Sequence, residues 1–403
     1  MRELSPVNTC EVCTNPNLIQ VLDLGLHPLC DDLIPIGGDW KSEEFPVEIL
    51  LCEICCTAFQ KFQVPRETLF TRDYHYRARM TGSVLAGMKE LVFEAENLYG
   101  PLTNLRILDI GSNDGSLLEF FQSRGASVLG IEPTGAYLDS KVPVINSFFD
   151  SNSLEQIIAT LGKPDLIVFT NVFAHIENLP KLINNLKAIM HGDTRIIIEN
   201  HYLGSVLKYG QFDTFYHEHP RTYSANSFKH IASALGLVIE QLQFVSRYGG
   251  NIRVFMGPKS ENQNKLHLPD ESWFTQGFAS LRHFISKWKY EKKQEIEEFN
   301  RTHGPIPAKA FPGRAAILIK LLELDTRNID GVFEISGSIK VGHYVPGTRI
   351  PICPEVELFK KIDSVQLILN LAWHIPTEVR SNLSTHGYKG KVLDIIDFKE
   401  IKK

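Results

Sequence analysis

Four cysteines stand in two pairs, Cys10-Glu-Val-Cys13 and Cys52-Glu-Ile-Cys55. Two-residue spacing lets both thiolates of a pair reach one ion, and two pairs complete a tetrahedral shell. Four thiolates leave no open position, so a zinc ion held there would be structural. The alternative is four plainly reduced thiols. The loop between the pairs is longer than in compact zinc ribbons, so it must carry structure of its own. Cys56 adjoins the second pair and could substitute in register, whereas Cys30 reads as a packed thiol.

A second group is Leu108-Asp-Ile-Gly111-Ser112-Asn113-Asp114-Gly115-Ser116. Glycines at the exit of a strand let backbone approach a ligand closely. The dinucleotide fingerprint would need a third glycine, and a pyrophosphate would be repelled by Asp109 and Asp114. A cationic ligand, such as a sulfonium carrying an ammonium group, suits those acids better. Glu132, about 20 residues beyond the loop, is placed to bond two ribose hydroxyls. Phe148 and Phe149 could sandwich an adenine, although a phenylalanine pair is more often core. Asn171 and His175 follow a strand-like run and would line the cofactor rim and the substrate.

The third group is Phe215-Tyr216-His217-Glu218-His219-Pro220-Arg221-Thr222-Tyr223. Histidine is the usual base near neutral pH, and a neighbouring carboxylate can fix its tautomer. His219 with Glu218 could do this, while Tyr216 bonds a developing oxyanion. In extended backbone His217 and His219 would share one face and Tyr216 and Glu218 the other. A turn before Pro220 would break that pattern. Rival readings are a second metal site on His217, Glu218 and His219, or a polar surface loop.

These groups need elements to hold them. Strand-like runs at 106–110, 127–132, 165–170 and 194–199 alternate with helix-like segments at 116–124, 153–162 and 179–190. A shorter strand, Val-Pro-Val-Ile, precedes Phe148. Such alternation predicts a parallel sheet with helices on both faces. A long charged amphipathic helix is expected over 271–300. The runs after it, AAILIKLLEL, GVFEI, VQLILNLAW and GKVLDII, predict a second, smaller α/β unit. With 403 residues the chain exceeds one core. The expected boundaries are 1–72, 73–262 and 263–403.

Apolar residues make up 43% and the net charge is −5, which disfavours nucleic acid and anionic membrane as partners. The first residues lack the apolar core of a signal peptide, and no apolar run is long enough to span a bilayer. A cytoplasmic location is expected. There the cysteines, clustered before residue 57 except for Cys353, would not form structural disulfides.

Taken together, the chain resembles the bacterial sugar C-methyltransferases that act on dTDP-linked 4-keto-deoxysugars. The resemblance runs along essentially the whole chain. It is carried by the two cysteine pairs with VLDLGLHPL, by LDIGSNDGSLL and VLGIEPT, by NVFAHI and YHEHPRTYS, by YGGNIRVF, and by VGHYVPGTRIPI. It implies an α/β protein of three parts: a small N-terminal zinc-binding domain, a central Rossmann-like methyltransferase domain, and a smaller Rossmann-like C-terminal domain contributing to the substrate site. It implies zinc on Cys10, Cys13, Cys52 and Cys55, and S-adenosylmethionine on Gly111, Asn113, Glu132 and Asn171, to which the residue pattern adds Ser112 of the same loop and Phe149. His219 becomes the base, supported by Glu218, with Tyr216 and His175 near the sugar. An aromatic before the methyltransferase core falls on Tyr74 or Tyr76, with Tyr76 taken as the site residue. The partner is a nucleotide sugar, and the chain is expected to be a monomer or weak homo-oligomer.

There are departures. His75 stands where the family has proline, Tyr248 where it has histidine, AFPGRAAIL replaces a Gly-Ala-Pro-Ala-Lys-Gly loop, and Trp373-His374 replaces Trp-Asn. They concentrate where the nucleotide or sugar would sit. Competing classes are a methyltransferase on another small molecule, methylation at oxygen or nitrogen, a nicotinamide oxidoreductase, and a binding module or scaffold without activity.

Overall fold

The computed structural model describes residues 4–70, 77–259 and 266–397. Its centre is a seven-stranded sheet. The strands run Val238–Val245, Asn251–Gly257, Arg195–His201, Leu166–Thr170, Arg106–Ile110, Ser127–Ile131 and Val144–Ile145, in spatial order. The last five are parallel, and Asn251–Gly257 runs antiparallel to both neighbours. Strands covered on both faces read as continuous apolar runs rather than alternations. Ile107, Leu108, Ile167, Val168, Ile196 and Ile197 are all fully buried.

The sheet grows outward in both directions from Arg106–Ile110 and Leu166–Thr170. Their connections leave to opposite sides, so a crevice opens at their carboxyl ends. The Gly111 loop and Asn171 sit at that crevice. Local chemistry fixes the helices around it. Asn178 caps Leu179–Ile189 by accepting from Lys181 N, with Pro180 in the first turn. Ser224 and Ser227 form a reciprocal capping box on Ala225–Leu235, which ends at a left-handed Gly236.

The N-terminal part is an antiparallel sheet of Ile19–Pro28, Glu44–Cys52 and Thr57–Gln60. Its fourth strand is Arg221–Thr222, borrowed from the central segment. A second link joins Ile34–Pro35 to His343–Tyr344. After the long helix Phe274–His303 comes a five-stranded parallel sheet, in order Ile352–Pro354, Ile329–Glu334, Ile306–Lys309, Leu367–Asn370 and Lys391–Asp394. Among the described residues, no helix is long and apolar enough to cross a membrane.

Candidate active site

The four paired cysteines converge. Their sulfurs all lie within 4.8 Å of one another, with Cys10–Cys55 at 3.4 Å and Cys13–Cys52 at 3.5 Å. A tetrahedral Zn–S shell needs sulfurs about 3.8 Å apart, so the donor set fits zinc. Hydrogen-bond donors meet the sulfurs, as the outer shell of a thiolate site requires. Cys13 N–H meets Cys10 Sγ at 3.3 Å, Asn15 Nδ2 meets Cys52 Sγ at 3.4 Å, and Thr57 Oγ1 meets Cys55 Sγ at 3.0 Å. Cys56 does not substitute: its Sγ turns toward Glu53 O.

A cavity opens at the crevice of the central sheet. Gly111, Ser112, Asn113, Glu132, Phe149 and Asn171 all line it. Gly111 has φ +75°, and a Cβ there would lie 2.5 Å from Val172 Cγ2. Only glycine therefore fits the strand exit. Glu132 is buried, taking Asn113 N–H on Oε2 at 3.0 Å and Thr134 N–H on Oε1 at 2.9 Å. Asn113 Oδ1 accepts from Ala78 N at 3.0 Å, and Asn171 Oδ1 from Asn251 Nδ2 at 3.0 Å. Asp109 lines the same wall, with Oδ1 buried and without a hydrogen-bond partner among the described residues. Burial, with Glu132 beside it, raises its carboxyl to about 8. Buried acids and a close-approach glycine fit a ligand carrying an ammonium and a ribose. Arg66 and Phe70 close the cavity from the N-terminal segment. The Arg66 guanidinium lies 4.2 Å from the Phe148 ring centroid.

The segment after Phe212–Thr214 is not extended. His219 N–H donates to Tyr216 O at 2.9 Å, closing a turn. The turn before Pro220, rather than the extended alternation of faces, is therefore the geometry present. Tyr216 and His219 come together, their ring centroids 4.4 Å apart, and His217 turns away so that its Nε2 donates to Phe45 O at 3.1 Å. Among the described residues only the four cysteines meet as a metal-ligand group, so a second metal site at 217–219 has no geometric support.

His219 Nδ1 lies 3.0 Å from Thr214 O. A carbonyl only accepts, so Nδ1 carries the proton and Nε2 keeps its lone pair. The tautomer that was expected to depend on Glu218 is set by this backbone carbonyl instead. The buried Glu218 carboxylate places its negative field on Tyr216 and Cys30. Its own backbone oxygen accepts from His175 Nδ1 at 2.6 Å, leaving His175 Nε2 as an acceptor. The His175 ring lines the cavity and sits 4.7 Å from His219. His201 lies 5.2 Å from His219 on another side. Burial depresses all three: His175 to about 4, His201 to about 3, and His219 well below the usual imidazole value. They are neutral at physiological pH. Tyr76, with Tyr74 and His75, lies outside the described residues.

Sequence reasoning missed His201, Thr214 and the arginines around Glu199. His201 ends a parallel strand, so the crevice rule that picked Asn171 also applied to it. Glu199 is fully buried, binding Arg253 Nε at 2.8 Å and also Arg247, which lines the cavity. No local spacing signalled that three-residue network.

Comparison with known proteins assigns each part. Residues 10–70 match a zinc binding domain, residues 76–242 a methyltransferase domain, and residues 246–393 a C-methyltransferase C-terminal domain. The C-methyltransferase NovU of Streptomyces niveus is 26% identical over 391 residues, covering 94% of this chain and 92% of that protein. Among solved structures, magnesium protoporphyrin IX methyltransferase of Synechocystis is 16% identical, with TM-score 0.34 over 43% of this chain and 83% of its own. The PH0226 protein of Pyrococcus horikoshii is 14% identical, with TM-score 0.35 over 46% of this chain and 95% of its own. With the three domain models in tandem and a relative matched almost end to end, the chain is an S-adenosylmethionine-dependent C-methyltransferase with a four-cysteine zinc site.

Proposed function

We propose that the enzyme methylates the carbon beside the ketone of a nucleotide-linked 4-keto-deoxysugar, through an enolate raised by His219. The observation that carries this reading is the pairing of Tyr216 with a His219 whose Nε2 is left free. His219 stands one imidazole, that of His175, away from the cofactor cavity, with Tyr216 against its ring.

Carbon is a poor nucleophile until deprotonated, and methylation at oxygen or nitrogen would need no such base. His219 Nε2 takes the α-proton, and the Tyr216 hydroxyl donates to the oxygen where charge collects. His175 Nε2 accepts from a sugar hydroxyl and orients the ring. Glu132 would hold ribose hydroxyls of the cofactor, Asn113 and Asn171 border the loop, and Asp109 would offer its carboxylate to the ammonium group. S-adenosylmethionine, when bound, supplies an electrophilic methyl group. The residues around the crevice would bring the reacting carbon into line with that methyl group. The zinc is architectural.

The test offers a panel of nucleotide-linked 4-keto-sugars with labelled methyl donor, in D2O. Mass spectrometry and NMR should place the label on carbon α to the ketone, with deuterium entering that position before methylation. A methyl found on oxygen, or transfer with no solvent exchange, would sink the reading.

Asp109 supplies a pH dependence. Its folded value of about 8 lies above the 3.8 of an unperturbed carboxyl. Between those values the folded chain holds a proton that the unfolded chain releases, so this residue's contribution to stability declines as pH rises. A cationic ligand prefers the ionised form, so affinity for S-adenosylmethionine should rise with pH and level off above about 8. Titration calorimetry in buffers of different ionisation enthalpy should find a proton released on binding at pH about 6.5. Above pH about 9, and in Asp109→Asn, there should be none. Release that is the same in the variant would show that another group titrates.

A further inference from the structure

The groups used so far belong to the central segment, yet the C-terminal segment delivers a charge to the same place. Arg314 follows Ile306–Lys309, the middle strand of the five-stranded parallel sheet, at its carboxyl end. That end of a parallel sheet is where ligands bind.

The guanidinium is held from three sides. Nε lies 3.3 Å from Asp213 Oδ2, and Nη1 donates to Thr214 Oγ1 at 3.2 Å. Its Cζ lies 5.2 Å from the Trp373 ring centroid, and the Trp373 indole N–H donates to the same Asp213 oxygen at 2.8 Å. The Arg314 side chain is only 9% exposed and Asp213 not at all. Thr214 therefore meets Arg314 through its hydroxyl and His219 through its carbonyl. Yet Nη2 of Arg314 is buried with no hydrogen-bond partner among the described residues. Buried donors are almost always paired, so a charged one left open beside a proposed base calls for an acceptor. One residue, Thr214, separates the guanidinium from the proposed base, and the Arg314 charge bears on Tyr216, His201, His219 and His374.

We propose that Arg314 is a catalytic residue whose free Nη2–H donates to the substrate's ketone oxygen and holds the negative charge formed there on enolisation. This rests on the enolate reading above. In that step the α C–H bond breaks and its proton goes to His219 Nε2. The C–H pair becomes the C=C bond, and the carbonyl π pair moves onto oxygen. A neutral, desolvated imidazole is a weak base, so the step needs charge stabilisation at the oxygen more than it needs proton affinity. A rigid fork held by Asp213 and Thr214 provides it without reorganisation. An anionic oxygen could also come from a nucleoside diphosphate, and the test separates the two.

Arg314→Gln and Arg314→Lys should be compared with the wild type on the keto-sugar that the panel selects. The readouts are α-deuterium exchange at saturating substrate and the Kd for the free nucleoside diphosphate. Arg314→Gln should slow exchange by about 10²-fold or more, with diphosphate affinity within about threefold of wild type. Arg314→Lys, which keeps the charge beside Asp213 but not the fork, should recover part of the rate while unfolding at the wild-type temperature. If Arg314→Gln does not fold, Arg314→Lys carries the test, and an unimpaired exchange rate in it overturns the proposal. Normal exchange with lost diphosphate binding also overturns it, placing Arg314 on the diphosphate. A wild type that methylates without exchange overturns the enolate reading itself, whereas wild-type exchange with an unimpaired Arg314→Gln overturns this inference alone.

Discussion

Replacing His219 with asparagine should lower α-proton exchange and methylation by about 10²- to 10⁴-fold, the usual contribution of a positioned base. S-adenosylmethionine should still bind within about threefold of wild type. Asparagine keeps a side-chain N–H within reach of the Thr214 carbonyl that His219 now uses, so the turn survives. It has no lone pair of comparable basicity at the Nε2 position. His217 is the control. It is equally buried, but its Nε2 faces Phe45 O on the other side of the turn. His217→Asn should cost stability, about 1–3 kcal/mol for a buried group left unsatisfied, with exchange per folded molecule unchanged. If the two variants lose the same fraction of exchange, the segment acts through its fold and His219 is not the base. The wild-type rate should also hold to lower pH than an ordinary imidazole allows, because burial keeps His219 neutral. Stability has the same sign. The unfolded chain takes up protons near 6.5 that folded His175, at about 4, and His201, at about 3, refuse. The folded state therefore loses stability as pH falls below about 6.5.

The features legible in the sequence were those set by local rules. Buried parallel strands such as Leu166–Thr170 read as apolar runs, and the cysteine spacing encoded the thiolate shell. The loop after Ile110 could be read because a left-handed glycine at a strand exit has few other uses. What stayed hidden depends on distant partners. Nothing near Arg221 announces that it pairs with Phe59 in the zinc-binding sheet. Nothing near His219 announces Thr214 O, because a carbonyl carries no residue identity. The strand Ile306–Lys309 was missed for another reason. Pro307 cannot donate to a ladder, and the pairing with Ile329–Glu334 shifts register there, so a central strand looks like a loop. Of the two geometries open to Tyr216–His219, extended backbone or a turn before Pro220, the turn is the one present, and its single backbone bond decides which side chains meet. His201 and Arg314 lie far from the cluster in sequence and reach it only because two sheets present their carboxyl ends to it.

Removing the zinc should abolish exchange and destabilise the fold, although no cysteine touches the cavity. The knuckle holds the base segment through its backbone. Cys55 O accepts from Ser224 Oγ at 3.0 Å and Ser227 Oγ at 3.2 Å, the two residues of the capping box that starts Ala225–Leu235. Thr57 Oγ1 bonds both Cys55 Sγ and Ser227 Oγ. Beyond it, Gln60 N–H donates to Pro220 O at 2.9 Å and Gln60 Nε2 to Tyr216 O at 3.3 Å. Glu11, between the first two cysteines, pairs with the fully buried Arg221. If the knuckle loosens, Arg221 is left as an uncompensated buried charge, a cost of about 3–5 kcal/mol. At an unfolding entropy of about 2.1 cal/mol/K per residue, that corresponds to a fall in Tm of roughly 4–6 °C for a chain of this length. Chelation, or Cys10→Ser with Cys55→Ser, should produce that fall and remove deuterium exchange, and zinc should restore both to the chelated protein. Cobalt should restore them as well, with the pH profile of exchange unchanged, because the ion sets the position of the base without entering the reaction. A shifted profile with cobalt would put the metal in the chemistry, and a chelated protein with wild-type Tm and exchange would mean that the four thiols hold this segment without an ion.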